Sequence, residues 1–329
     1  MTTKLAHLQR ASLLPLTLGW AIALGIFGAQ AAQAQTYTVL HAFTGHPDGD
    51  TPLAGVTLDG RGNIYGTAAG GGIGGNYQKG TVWKIDGNGV FSVLYTFTGG
   101  IGSGPDTVLL LDRKGNLYGT TQSGGHFNGG SVYSVAPDGK AKELYAFSRV
   151  LLPVGRLALD RHRGILYGTT QVGGTGCNGG CGTAWQLAPT HRLTFLHRFA
   201  GAPDGASPES GLVRDAAGNL YGTTGGGGNV TQQFPQGCGT VFKITRAGKK
   251  STLYKFQCGS DGIAPAEGDL VLDGKGNLYG TTLFGGDLNC LPPDGCGTVF
   301  KVSPSGQETL LYAFQGGGMT PHNLTAASC

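Results

Sequence analysis

The residues best suited to chemistry are a few aspartates in loops. Asp48, Asp204 and Asp261 each precede a glycine in a segment leading into a recurring motif, and Asp287 and Asp294 flank Cys290 in the last Gly-rich stretch. Carboxylates gathered from several such segments would attract a cation, a basic group or a sugar. Asp-Gly is also what a tight turn demands on local grounds, because Asp bonds its own backbone two residues on and Gly accepts a positive φ; this turn role is the preferred reading. No stretch has the closely spaced acids of a calcium loop. His41, His126, His191 and His197 share no metal-ligand spacing, no Ser-His-Asp set is recognisable by role, and the Gly-Gly stretches lack the helix and lysine of a phosphate cradle. The sequence therefore predicts no metal, no cofactor and no catalytic residue. The five aspartates stay as candidate binding residues.

Those loops belong to a tandem repeat of about fifty residues. "GNIYGT" at Gly62 returns as "GNLYGTT" from Gly115, "GILYGTT" from Gly164, and "GNLYGTT" from Gly218 and Gly276. A second element follows each, as "GTVWKI" from Gly80, "GSVYSV" from Gly130, "GTAWQL" from Gly182, "GTVFKI" from Gly239 and "GTVFKV" from Gly297. A third ends at Phe97, Phe147, Phe199, Phe256 and Phe314. With the apolar run before each "DxxGN", every copy supplies four short candidate strands rich in Val, Leu, Tyr and Phe, separated by turn residues. No stretch after the leader has a convincing helical period.

Two connections in each copy are tight, as at Asp59-Gly60-Arg61-Gly62 and Asp86-Gly87-Asn88-Gly89, and two are long. Four-stranded repeats in tandem make a β-propeller, all-β, of five blades, with a broken sixth as the alternative. The tight hairpins then share one face and the long loops the other, which is the natural binding face. In a closed ring, Asp48, Asp204 and Asp261 fall in one sector, with Arg149 and Arg156 opposite. Tyr254 and Phe256, like Tyr95 with Phe97, Tyr145 with Phe147, His197 with Phe199 and Tyr312 with Phe314, alternate along the fourth strand and aim at one side of the sheet, towards the next blade.

The cysteines test this layout. Cys181, Cys238 and Cys296 hold one repeat position, and Cys177 and Cys290 stand just ahead of two of them, so Cys177–Cys181 and Cys290–Cys296 can each staple a loop. Cys238 and Cys258 lie equidistant from Gly248, in the predicted turn between third and fourth strands, which places them across a hairpin. Isolated pairs without nearby His favour bridges over a metal site. Cys329 is left over.

Sixty-three glycines in 329 residues suit a fold of short strands and turns. Residues 1–34 read as a secretory signal peptide: Lys4 and Arg10, an apolar stretch from about Leu13 to Phe27, then Ala32-Gln33-Ala34 for cleavage near Ala34. Residues 35–329 are the repeat domain, with no later stretch approaching a transmembrane helix. Loss of the leader lowers the formal charge from +4 to +2, with Lys and Arg scattered, which argues against nucleic acid as a partner.

The motif set "DxxGNLYGTT", Gly-Gly, "GTVFKI" and "LYxF" resembles the GloVer tandem repeat of bacterial exported proteins grouped as choice-of-anchor repeat proteins, over about Tyr37 to Phe314. The resemblance implies an extracellular or surface-attached repeat protein and carries no catalytic residues across. Three features depart from it. Repeat three has Arg163-Gly164-Ile165 in place of Gly-Asn and no Asp-Gly ahead of it; no surface-sorting tail is recognisable; and the array opens on a fourth-type strand, "YTVLHAF". The expected function is a secreted, periplasmic or cell-surface binding module or scaffold for a glycan or protein. The rival is a propeller lyase or hydrolase acting on an extracellular glycan or peptide. Such an enzyme would gather a His or Tyr beside two carboxylates near the axis.

Overall fold

The computed structural model describes residues 37–73, 79–148, 151–266 and 268–315. The proposed leader, Arg149 and Cys329 lie outside the described residues. Every regular element among the described residues is a strand. The first sheet is β1 (Thr57–Leu58), β2 (Ile64–Ala68), β3 (Thr81–Ile85) and β4 (Phe91–Thr96); the second is β5 (Leu110–Leu111), β6 (Leu117–Thr121), β7 (Ser131–Val135) and β8 (Ala141–Ala146). The third is β9 (Pro153–Asp160), β10 (Ile165–Thr170), β11 (Thr183–Leu187) and β12 (Leu193–Arg198). The fourth is β13 (Val213–Arg214), β14 (Leu220–Thr224), β15 (Thr240–Ile244) and β16 (Lys250–Lys255), and the fifth β17 (Val271–Leu272), β18 (Leu278–Thr282), β19 (Thr298–Val302) and β20 (Glu308–Ala313). Each sheet is antiparallel and in chain order, as the four-strand repeat predicts.

The "YGTT" motif has a packing cause. Gly222 on β14 is the cross-strand partner of Phe242 on β15, and a Cβ on Gly222 would sit 2.7 Å from the ring's Cζ. Gly280 stands in the same relation to Phe300, at 2.6 Å. The missing side chain lets the third-strand ring lie flat across the second strand. There it meets the Phe that ends the preceding repeat: centroid distances are 4.9 Å for Phe97–Tyr133, 5.9 Å for Phe147–Trp185, and 5.1 Å for both Phe199–Phe242 and Phe256–Phe300, all edge-to-face. Four apolar clusters thus join consecutive sheets, and Phe43 against Trp83 and Phe91 covers the free side of the first.

The fifth sheet differs. Among the described residues no hydrogen bond or ring contact joins it to the first sheet, and Leu311 and Tyr312 are 47% and 55% exposed where their counterparts Leu253 and Tyr254 are half-buried.

The first strands meet one another. Leu212 donates its amide to the Arg156 carbonyl, the Thr57 hydroxyl bonds to the Leu109 carbonyl, and a Cβ on Gly155 would fall 2.3 Å from the Gly211 nitrogen. They form a hub from which the sheets radiate.

The "DxxGNxY" hairpin is closed by its own side chains. Asp59 Oδ1 accepts from the Arg61 and Asn63 amides, and Oδ2 from Asn63 Nδ2 at 2.7 Å and the Tyr65 hydroxyl at 3.2 Å. Asp112, Asp215 and Asp273 bond their own Asn and Tyr in the same way. Repeat three cannot, because its hairpin is one residue longer. Gly164 donates to the Asp160 carbonyl four residues back, where Gly62 reaches Asp59 three back. Ile165 then stands where the Asn would be, and Asp160 Oδ2 accepts from Arg214 of the next sheet at 2.9 Å.

Three disulfides are formed, Cys177–Cys181, Cys238–Cys258 and Cys290–Cys296. The second pair meets for a subtler reason than equidistance from Gly248. Ile244 pairs with Lys250, which centres the turn on Ala247, and a bulge between Val241 and Phe242 shifts the register beyond it. Cys258 completes the approach in a left-handed conformation, φ 63°.

Phe256 is fully buried between the fourth and fifth sheets. Phe256→Ala is expected to lower the unfolding free energy by about 3–5 kcal/mol, read by denaturant titration. The Asn side chain is the main cause holding Asp59 and Asp273 down at about 2, from an ordinary 3.8. A carboxylate with a depressed folded pKa stabilises above its unfolded value and loses that contribution as pH falls through the folded one. The melting temperature should accordingly descend between about pH 4 and 2. An Asp59→Asn/Asp273→Asn double variant should descend less steeply over that interval; equal slopes would refute the role.

Candidate functional site

The three Asp-Gly aspartates are each tied to the preceding fourth strand or its counterpart. His41 Nε2 lies 3.0 Å from Asp48 Oδ2, His197 Nε2 lies 2.8 Å from Asp204 Oδ2, and the Tyr254 hydroxyl donates to Asp261 Oδ2 at 2.7 Å. The backbone amide four residues upstream, of Thr44, Ala200 or Gln257, donates to the same carboxylate. The ring and the aspartate are seven residues apart each time, a spacing visible in the sequence. Burial opposes ionisation of Asp48, but Thr44 and His41 outweigh it and lower its pKa. Burial likewise opposes the charge on Asp204; His197 and Lys250 overcome it and hold the group at about 2.

Among the described residues no hydrogen bond joins one of these aspartates to another. Asp287 Oδ1 accepts from the Asn289 amide at 3.0 Å, and Asp294 Oδ1 from Gln233 Nε2 at 3.3 Å, a bridge between the long loops of repeats four and five. Among the described residues no three His, Cys, Asp or Glu side chains are grouped to hold a metal ion. The structure thus gives all five carboxylates partners within the chain.

Polar groups from different repeats do meet at the hub, and they are ones the sequence reading passed over. Asp269 Oδ1 accepts from the Gly211 amide at 2.8 Å beside Arg156, joining repeats three, four and five. Burial raises the Asp269 pKa, against the pull of the Gly211 amide and Arg156. Gln171 Nε2 donates to Glu209 at 2.7 Å, across repeats three and four. Within repeat two, Gln122 bonds Asp106, whose pKa burial also raises. Asp106 and Glu209 both directly follow the proline of the segment that leads into a first strand, and this shared position is the signal that marks them.

A second grouping lies on the edge strands. Glu308, first residue of β20, occupies the repeat position of Lys250. Lys250 Nζ bonds the Asp204 carboxylate, whereas Glu308 faces Asp261, and burial with that neighbouring charge raises its pKa. Tyr254, Asp261 and Glu308 are therefore a tyrosine beside two carboxylates, with Tyr254 and Glu308 on outer strands and Asp261 in the loop that follows Tyr254. Asp261 Oδ1 and Glu308 Oε1 are both buried without a partner.

On the long-loop face an open cleft of about 480 Å³ lies between repeats one and two, lined by Lys79, Gly99, Ser103, Ser123, Gly124 and Asn128. Its volume falls in the range of small-molecule sites. Ammonium, hydroxyl, carboxamide and backbone groups line it, with no His and no carboxylate.

Five four-stranded sheets packed face to face about a hub of first strands define a β-propeller. A virginiamycin B lyase from Staphylococcus aureus superposes with a TM-score of 0.56 at 12% identity, over 83% of this chain and 73% of that one. A streptogramin B lyase structure gives 0.54 at 14% identity, over 81% and 70%. At such identities the likeness is one of fold. The chain belongs to the Gloeobacter/Verrucomicrobia repeat family, which matches residues 25–181 and 150–328. No curated protein matches the sequence.

If the Asp-Gly carboxylates hold the loops together, removing one must cost stability according to its partner. The Lys250 side chain is only 8% exposed. Asp204→Ala strands that ammonium and should destabilise by about 3–5 kcal/mol. Asp48→Ala, facing an imidazole that can be neutral, should cost about 1–3 kcal/mol. Equal, negligible losses in denaturant unfolding would show that these side chains are not structural.

Proposed function

We propose that the protein works outside the cytoplasm as a binding module or cell-surface scaffold, and that its ligand is a glycan held on the long-loop face. The observation that carries this reading is the cleft at Lys79, Ser103, Ser123 and Asn128. Its lining supplies hydrogen-bond donors and acceptors at close spacing, as a hydroxyl-rich ligand requires, with no nucleophile-base pair. Export is supported by the three disulfides, which persist in oxidising compartments, by the leader-like first residues and by the repeat family. Among the described residues no helix is long and apolar enough to cross a membrane.

The test is a glycan array followed by calorimetry on the chain lacking residues 1–34. At least one glycan should bind, and Ser103→Ala/Asn128→Ala should weaken it about tenfold, the loss of one to two hydrogen bonds, at unchanged melting temperature. No binding across the array, or equal affinity in the double variant, sinks the reading.

The enzymatic alternative, a lyase or hydrolase, is favoured by one observation, the Tyr254–Asp261–Glu308 group. A carboxyl with a raised pKa can donate a proton to a leaving oxygen. Under that reading Glu308→Gln would abolish polysaccharide turnover while leaving binding intact.

A further inference from the structure

The hairpin face of repeats three and four carries three arginines around one cavity, two of them at positions where the other repeats have none. Arg163 lies in the lengthened hairpin of repeat three, directly before Gly164, as Arg61 precedes Gly62 in repeat one. Arg214 precedes Asp215, where Leu58, Leu111, Leu159 and Leu272 precede the corresponding aspartates. Arg246 occupies the turn position held by Gly87, Pro137, Pro189 and Pro304. Two independent departures from the repeat, and the lengthened hairpin, thus fall at one place. All three side chains line a single cavity of about 40 Å³ between the two sheets, together with Asp160, Tyr167 and Gln186.

That cavity is built for negative charge. Its only acid is Asp160, which is buried and already satisfied: Oδ1 accepts the His162 and Arg163 amides, and Oδ2 accepts Arg214 Nη2 at 2.9 Å. One carboxylate against three guanidinium groups leaves two positive charges in excess. Arg214 Nε is buried with no hydrogen-bond partner, a donor that an incoming acceptor would satisfy. Glycine holds the arrangement open. A Cβ on Gly218 would lie 3.0 Å from Arg214 Nη2 and 3.3 Å from Arg246 Cδ, so both side chains pack over the bare backbone. A volume of about 40 Å³ exceeds the roughly 10–15 Å³ that one water needs.

We propose that this cavity binds a tetrahedral oxyanion of the phosphate or sulfate type, bridging repeats three and four. The planar guanidinium forks of Arg163, Arg214 and Arg246 supply parallel N–H donors to its oxygens. The site is independent of the glycan reading, since it lies on the hairpin face with different residues.

The experiment measures melting temperature and calorimetric binding with inorganic phosphate against chloride at matched ionic strength. Glucose 6-phosphate in a parallel arm distinguishes a free ion from an esterified one. Wild type should bind phosphate and melt higher in it. Arg246→Gly keeps the turn amide that Gly87 supplies in repeat one, and should weaken phosphate binding about tenfold. Arg163→Ala, on an exposed turn, should weaken it likewise, and neither variant should change the melting temperature in chloride. Wild type that binds neither phosphate nor glucose 6-phosphate, or variants that bind phosphate as tightly as wild type, would overturn the assignment.

Discussion

Everything in this molecule depends on covering the two faces of a four-stranded sheet. Such a sheet cannot bury its apolar side chains alone, and each one here borrows its neighbour. The Phe ending one repeat lies against the aromatic ring of the third strand of the next, and the glycine of "YGTT" gives that ring its bed. The motif therefore encodes an interface between repeats as much as a strand within one. A side chain at Gly222 or Gly280 would lift the ring and separate two sheets. The same constraint explains why the regular motif residues offer so little chemistry. The Asp, Asn and Tyr of "DxxGNxY" bond one another, and the Asp-Gly carboxylates bond the ring seven residues upstream.

In a tandem array the shared positions carry the fold, so individuality must come from departures. Lys250 and Glu308 show this at one position. The lysine closes an ion pair with Asp204, whereas the glutamate feels the negative charge of Asp261. The lengthened hairpin of repeat three shows it again: Asp160 loses its Asn, gains Arg214 from the next repeat, and a packed turn becomes a charged cavity. A change that would disrupt a single sheet is absorbed across the interface.

Much of the fold was legible because a repeat supplies its own alignment. Strand order, the two kinds of connection, the alternating Tyr and Phe and the cysteine pairs all follow from laying copies over one another. The sequence misled in local register. Cys238 and Cys258 meet through a bulge and a left-handed residue that no counting from Gly248 reveals. The candidate site was less legible, for a physical reason. Asp48, Asp204 and Asp261 were noticed because Asp-Gly is conspicuous, and it is conspicuous because turns need it. Glu209 and Asp269 lie in the segments leading into first strands, and only the convergence of those strands makes them neighbours of groups from other repeats.

Stability along such an array is a sum of sheets and the interfaces between them. By that reasoning the fifth sheet is the least supported. It shares the Phe256–Phe300 interface with the fourth, while Leu311 and Tyr312 on its other side face solvent. The first sheet is better served, since His41 and Phe43 stack on Phe91 and Trp83. The three disulfides fall in repeats three, four and five. Closing a loop raises the free energy of the unfolded chain without demanding a second packed face. The Cys290–Cys296 staple thus supports the fifth sheet, whose outer face is the more exposed.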